Sequence, residues 1–373
     1  MKKHIVIAGC GFGGVAALRR LSVCSDQFRI TVIDKKTTFD FLPLLPDMVS
    51  RDLSRAFLTV DIAGLCRRHS ADFINQEIVT LDHQTHTLRT KQSSINYDQL
   101  IIASGAETHF YGNTDLARNA MPLRSVQDAQ NLKDVIAHET FEHFFIAGGG
   151  YTGIEIATHL KRWMKSRHIT ASVHIIEKAD SILGPLPAWM KKYTLKQLEQ
   201  MGVDLLCGTT VRSVDGQYLI LSDDSRYPNA LVVWVAGVKM PAFIEQLDSE
   251  KIQNRLKVNP FLQVRDNLYA IGDCAAFMDH DKPLRMAVMF AIGQGRCAAD
   301  NIIRSYRNKP LIPYHPVDLG YIIPTANNRS SGVVLGRGLK GVLPTLLHYT
   351  ISAYRSYGWR NRLGVLSHTF RHW

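Results

Sequence analysis

Residues 4 to 21, HIVIAGCGFGGVAALRRL, set a β-branched apolar run directly before Gly9, Gly11 and Gly14, and residues 144 to 160, FFIAGGGYTGIEIATHL, repeat the arrangement with Gly148, Gly150 and Gly153. Each copy reads as a short buried strand, a tight G-x-G-x-x-G turn and the start of a helix, placed at Val15 to Leu21 in the first copy. A chain that carries this unit twice is expected to be α/β, with two nested Rossmann-like units.

Such a turn suits a pyrophosphate. Its glycines let the backbone come close, and the free amides at the positive end of the helix dipole face the anion. The second strand of the first copy, RITVIDK, ends on Asp34, 25 residues after Gly9, near where a ribose-binding carboxylate is expected. In the second copy SVHIIEK ends on Glu177. A carboxylate there accepts hydrogen bonds from two ribose hydroxyls and repels a 2′-phosphate, so NAD(H) is expected over NADP(H) in this half, a preference that the adjacent Lys178 weakens.

A length of 373 residues, 46% of them hydrophobic, allows two or three domains with full cores. The start MKKH passes straight into a strand without the apolar stretch of a secretory signal, which places the expected location on the cytoplasmic side. Cys10, Cys24, Cys66, Cys207, Cys274 and Cys297 form no C-x-x-C or C-x-x-x-x-C pair, and the 15 histidines no H-E-x-x-H, so neither a metal site nor dithiol chemistry is expected.

Two further strand-turn elements close the units, YDQLIIASG at 97 to 105 and LVVWVAG at 231 to 237. SDDSRYPN, 222 to 229, reads as a turn-rich link behind a hairpin strand, and NLYAIGDCAA, 267 to 276, as a strand ending in Gly-Asp before a helix-like stretch from Met286 to Arg304. Five motifs in this order, over about residues 4 to 300, resemble the two-dinucleotide-binding-domain flavoproteins of the pyridine nucleotide-disulfide oxidoreductase superfamily.

The resemblance implies that the first unit, 1–115 with 255–310, binds FAD and the second, 116–254, binds NADH. It assigns Gly9, Gly11, Phe12, Gly13, Gly14, Asp34, Lys35, Ala103, Gly105, Gly272 and Asp273 to FAD, and Gly148, Gly150, Tyr151, Thr152, Gly153, Glu177 and Gly237 to NADH. GGGYTGIE matches the G-G-G-x-T-G-x-E of related NADH dehydrogenases, whose glutamate borders the flavin and nicotinamide rings, which marks Glu155 as the catalytic candidate. Its competing reading is an acid in the first helical turn that suits the helix dipole. The protein's remaining task is to bring nicotinamide C4 against flavin N5 in a dry site.

The disulfide reductases of the superfamily carry a C-x-x-x-x-C pair after the first unit, where this chain reads DFLPLLPDMVS, Asp40 to Ser50, so its electrons must leave to another acceptor. Sulfide:quinone reductases use cysteines near the second fingerprint and toward the C-terminus; this chain has none between Cys66 and Cys207 or after Cys297. From Asn301 onward there are ten Lys or Arg against Asp318 alone, a net charge of +9 out of +11 for the whole chain. Leu343, Leu347, Ile351 and Tyr354 form one helical stripe, and Trp359, Leu363, Leu366, Phe370 and Trp373 a second, flanked by Arg355, Arg360, Arg362 and Arg371. The uncharged run Gly341 to Tyr354 is 14 residues, short of the roughly 20 that span a bilayer, so 311–373 reads as an in-plane membrane-surface region. Its alternatives are packing on the protein's own surface and a homodimer interface.

GYIIPTANNRSSGVVLG and GWRNRLGVL resemble the C-terminal part of type II NADH dehydrogenases, single-subunit enzymes that sit on the membrane and reduce quinone. That likeness implies a membrane quinone as acceptor and a peripheral place on the cytoplasmic membrane face. The quinone would lie against Met286, Ala287, Phe290 and Gln294, with Val288 at or beside the place of the family's first glutamine. Three alternatives stay open: a soluble reductase of an electron-transfer protein, a sulfide:quinone reductase-like enzyme, which the cysteine positions disfavour, and a redox sensor whose basic tail meets nucleic acid, against which the clustering on one helical face argues.

Overall fold

The computed structural model describes residues 2–215 and 218–371. The chain forms two compact units, Met1–Phe39 with Val60–Glu107 and Val238–Asp318, and Asp40–Thr59 with Thr108–Gly237 and Leu319–Trp373. Mixed α/β architecture with a Rossmann-like sheet in each unit agrees with the sequence.

The first unit is built on a six-stranded sheet in the order Gln263–Arg265, Leu268–Ala270, Gln99–Ile102, Lys3–Ala8, Phe28–Ile33, Asp72–Ile74. Ile5, Val6 and Ile7 are fully buried because both faces of a parallel sheet are covered, which is why this strand reads as an unbroken apolar run. The fingerprint helix is Phe12–Leu21, three residues longer at its start than the apolar pattern suggests, since Gly13 and Gly14 are taken into its first turn despite their poor helix propensity. The late helix is Val288–Tyr306, two residues downstream of the expected stretch at each end. A Cβ on its Gly295 would lie 2.3 Å from the Gly13 carbonyl oxygen, so the two helices meet at glycine.

The second unit repeats the plan with an all-parallel sheet, Met121–Pro122, Ala230–Trp234, His143–Ala147, Ser172–Glu177, Val203–Cys207. In both sheets the strand before the glycines lies between the strand after its own helix and the closing strand, so the chain reverses direction across the sheet there. Open α/β sheets bind ligands outside the C-terminal ends of the strands at such a switch point. The expected turn-rich link at 222 to 229 contains a strand, Arg226–Pro228, which joins Val211–Val214 and Tyr218–Leu221 in an antiparallel ribbon.

The C-terminal part of the second unit is a three-stranded antiparallel sheet, Gly320–Ile323, Ser330–Val334 and Arg337–Gly341, followed by helices Val342–Arg355 and Trp359–Arg371. The first of these helices buries small and polar side chains, Pro344, Thr345, Tyr349, Ser352 and Ala353. Its apolar stripe faces outward: Leu343 is 53% and Tyr354 75% exposed. On the second helix Trp359 is 76% and Leu363 61% exposed, while the Phe370 side chain and Trp373 lie outside the described residues. Among the described residues no helix is long and apolar enough to cross a membrane.

Candidate functional site

In the first unit the backbone enters the glycine turn through Gly9, whose φ of +109° only glycine adopts freely, with its N–H donating to the Ile33 carbonyl at 2.8 Å. A Cβ on Gly9 would stand 2.5 Å from the Ala103 carbonyl oxygen, and one on Gly14 would stand 2.0 Å from that of Gly9. Gly11 is different. A Cβ there meets nothing within 4 Å, so this exposed position faces open space just before the helix begins. Gly9 and Gly14 therefore let the chain fold, and Gly11 keeps a cradle clear, the division of labour that a bound pyrophosphate requires.

The carboxylate at the end of the next strand completes the loop. Asp34 accepts from Cys10 N–H at 2.7 Å through one oxygen and from Lys36 N–H at 2.8 Å through the other, leaving lone pairs for ribose hydroxyls. Burial pushes its carboxyl upward, while those amide bonds and the charges of Lys36 and Lys35 oppose the shift. Lys35 is paired with Glu107 and Glu77. Phe12 packs edge-on against Phe39, ring centres 5.0 Å apart.

The late motif comes to the same sheet end. Leu268–Ala270 pairs in parallel with Gln99–Ile102, Ile271 N–H donates to the Ile102 carbonyl at 2.9 Å, and Gly272 turns the chain at φ +72°. The turn puts partly exposed Gly272 and Asp273 beside Ala103 and Gly105, so these predicted contacts share one edge. Gln294 is 2% exposed and its Oε1 accepts from Gly272 N–H at 2.7 Å, so its amide braces the turn. Of the residues predicted to line a quinone, Met286 is exposed, Ala287 is half-buried, and Phe290, like Gln294, is buried, with the Arg285 guanidinium 5.1 Å from its ring. The four do not form one exposed wall.

The second unit reproduces the cradle. Gly148 has φ +119°, a Cβ on Gly153 would lie 1.8 Å from the Gly148 carbonyl oxygen, and Gly150 again faces open space. Glu177 accepts from Gly149 N–H at 2.7 Å and Ala179 N–H at 2.9 Å, as Asp34 does from its own loop. Gly237, at φ +77°, has no room for a side chain beside Tyr111, whose hydroxyl would be 2.3 Å from a Cβ. Tyr151 sits with its ring centre 6.0 Å from that of Tyr321, and Thr152 is exposed.

Glu155 corrects one reading. The helix runs Tyr151–Arg167, so Glu155 is its fifth residue and no acid lies in its first turn. The dipole has largely faded there and does not explain the residue. Burial drives the Glu155 carboxyl well above the ordinary range, and the Asp47 charge adds to the shift.

The sequence pattern of the pyridine nucleotide-disulphide oxidoreductase family matches residues 3–295. The chain belongs to that family. It is 24% identical over 408 residues to the type II NADH:quinone oxidoreductase of Haemophilus influenzae, with 95% of this chain and 92% of the relative covered. It is 23% identical over 369 residues to the external alternative NAD(P)H-ubiquinone oxidoreductase B1 of Solanum tuberosum, covering 85% of this chain but only 63% of that longer relative. The solved structure of NDH2 from Plasmodium falciparum in complex with NADH has the same fold, with a TM-score of 0.88 at 17% identity over 100% of this chain and 98% of that one.

The cysteines of the first unit, Cys10, Cys24, Cys66, Cys274 and Cys297, are buried and unpaired with one another. Burial pushes the Cys10 thiol well above its ordinary value and that of Cys274 to about 11, so neither is a ready nucleophile. One group escaped the sequence reading. Asp47, Arg51, His159 and Tyr349 are each no more than 4% exposed and gather within the second unit. Only the unusual presence of Asp and Arg inside PLLPDMVSR hinted at it.

The two roles of glycine separate experimentally. Gly14→Ala should cost about 1–3 kcal/mol of overpacking and lower the thermal midpoint, whereas Gly11→Val should fold with a near-parental midpoint yet be purified without flavin. A yellow Gly11→Val protein would show that the first cradle does not hold the cofactor.

Proposed function

We propose that the chain is an FAD-dependent NADH:quinone oxidoreductase working at a membrane surface. The observation that carries this reading is the duplicated cradle, two glycine turns each ending on a carboxylate whose two oxygens are held by backbone amides. Two such cradles serve two dinucleotides. The quinone acceptor is supported by the NADH:quinone and NAD(P)H-ubiquinone oxidoreductases among the relatives and by the absence of a cysteine pair after the first unit.

FAD, when bound, supplies the acceptance of a hydride and the return of two electrons. The first unit would hold it through the Gly11–Gly14 amides at the start of the Phe12–Leu21 helix at the pyrophosphate, Asp34 at the ribose, and Asp273 toward the ribityl-phosphate end, the Gly9 and Cys10 amides being given to Ile33 and Asp34. The second unit holds NADH through the Gly148–Gly153 turn, and Glu177 binds its ribose hydroxyls while repelling a 2′-phosphate. Glu155 keeps its proton to higher pH than an exposed carboxyl does, because burial and the Asp47 charge disfavour its charged form. Met286 and Ala287 offer apolar surface to the quinone, and Gln294 acts by fixing the Gly272 turn.

The outward apolar face of the C-terminal helices suits an anionic leaflet. Arg362 lies 5.7 Å from the Tyr354 ring and 5.5 Å from that of Trp359, so its charge travels with the aromatic groups that would enter the interface. We place this face against the cytoplasmic side of the membrane.

Anaerobic mixing tests the chemistry. NADH should bleach the flavin band, and a short-chain quinone should restore it; bleaching that quinone does not reverse would move the acceptor to a protein partner and overturn the quinone assignment. Flotation with anionic vesicles tests the surface. Leu343→Glu with Leu363→Glu should weaken binding about tenfold or more, since each leucine entering lipid contributes about 2 kcal/mol. Unchanged flotation would contradict the orientation proposed for these helices.

A further inference from the structure

Arg255 opens the strand Arg255–Val258 of the first unit and is 4% exposed, an unusual place for a permanent charge. Its guanidinium reaches two carbonyl oxygens. Nη1 donates to that of Leu284 at 2.8 Å and Nη2 to that of Ala275, while Nε meets no acceptor among the described residues. The strand pairs in parallel with Ala275–Asp279, Leu256 opposite Ala275, so the guanidinium comes up from the interior against the exit of the Gly272–Cys274 turn.

Two carbonyl bonds do not account for a buried cation. A neutral amide would satisfy the same oxygens without the cost of taking a full charge out of water. The charge calls for a counterpart, and Asp273 is placed to supply it: burial weakens the hold of Arg255 on its proton, and the Asp273 charge is the largest influence that strengthens it again. Cys274 also acts on Arg255, but burial pushes its thiol to about 11, so it carries no charge at neutral pH.

Asp273 has the complementary need. In the proposed FAD site it stands toward the ribityl-phosphate end, where a diphosphate brings further negative charge. A carboxylate and a diphosphate in one cradle repel each other unless a cation offsets one of them. At Asp34 the charges of Lys36 and Lys35 act in this sense from the residues that follow it.

We propose that Arg255 is a positioning residue of the FAD site, whose buried charge offsets that of Asp273 so that the carboxylate stays ionised, accepts from FAD hydroxyls and tolerates the diphosphate beside it. The inference deepens the FAD reading of the first unit and rests on it. Closed off from solvent, Arg255 acts through Asp273.

Release of FAD from the purified full-length protein, followed by the rise of free-flavin fluorescence after dilution, provides the test. Arg255→Gln keeps donors for the two carbonyls and removes the charge, and it should lose FAD about tenfold faster than the parent or more. Arg255→Lys keeps the charge and should stay within about threefold of the parent. The deciding variant combines Arg255→Gln with Asp273→Asn. With both charges gone, FAD should leave within about threefold of the rate for Asp273→Asn alone, so the two losses do not add. A residue that only braces the turn through its hydrogen bonds gives the opposite: two losses that multiply, and a Lys variant as leaky as the Gln one. Either result would overturn the offset of charge.

If Arg255→Gln does not fold, melting of the flavin-stripped chain decides. Asp273→Asn strands the Arg255 charge, so the midpoint should fall by about 3 °C or more, whereas a partly exposed residue without such a partner is replaced at little cost. An unchanged midpoint would overturn the proposal. A parent protein that is purified colourless and takes up no FAD would instead overturn the reading of the first unit on which the role of Arg255 rests.

Discussion

A carbonyl oxygen 2.0 Å from where the Gly14 side chain would begin, and another 1.8 Å from where that of Gly153 would begin, fix the closeness of strand and helix in each unit. Everything proposed for the molecule depends on that approach. It aims the first helical amides past the end of the sheet, and it brings Asp34 and Glu177 onto the loop amides. The closing strands reinforce it from the other side, through Ala103 N–H to the Ala8 carbonyl at 2.7 Å and Val235 N–H to that of Ala147 at 3.0 Å. Two cradles with one geometry follow from one steric rule applied twice.

Much of this was readable because local chemistry dictated it. Glycines that need positive φ or zero side-chain volume leave a fixed spacing, and fully buried parallel strands leave apolar runs such as Ile5 to Ile7. The carboxylates at Asp34 and Glu177 stand at strand ends for the same local reason. The C-terminal stripes were legible too, from their 3.6-residue period.

What the sequence hid was tertiary. A helical stripe does not say which way it faces, and here the usual rule is inverted: Thr345, Tyr349 and Ser352 point inward while Leu343 and Tyr354 face out. Gln294 looked like a ligand for the acceptor, but its amide is committed to the Gly272 turn, a bond between residues 22 positions apart. Gly295 carries no local signal of its role, which comes from the Phe12–Leu21 helix packed against it. Asp47 and Tyr349 are 302 residues apart, beyond any local pattern. Glu155 was marked by resemblance alone, and its physical setting became visible only with Asp47 in place.

On the proposed reading the second glycine turn, and not the first, admits the electron donor. Gly150→Val measures this most directly, since a side chain there would fill the second cradle where Gly150 now meets nothing within 4 Å. That variant should be a yellow, folded protein whose flavin dithionite bleaches and NADH, under anaerobic conditions, does not. Rapid bleaching of that variant by NADH would contradict it, for the donor would then be entering elsewhere.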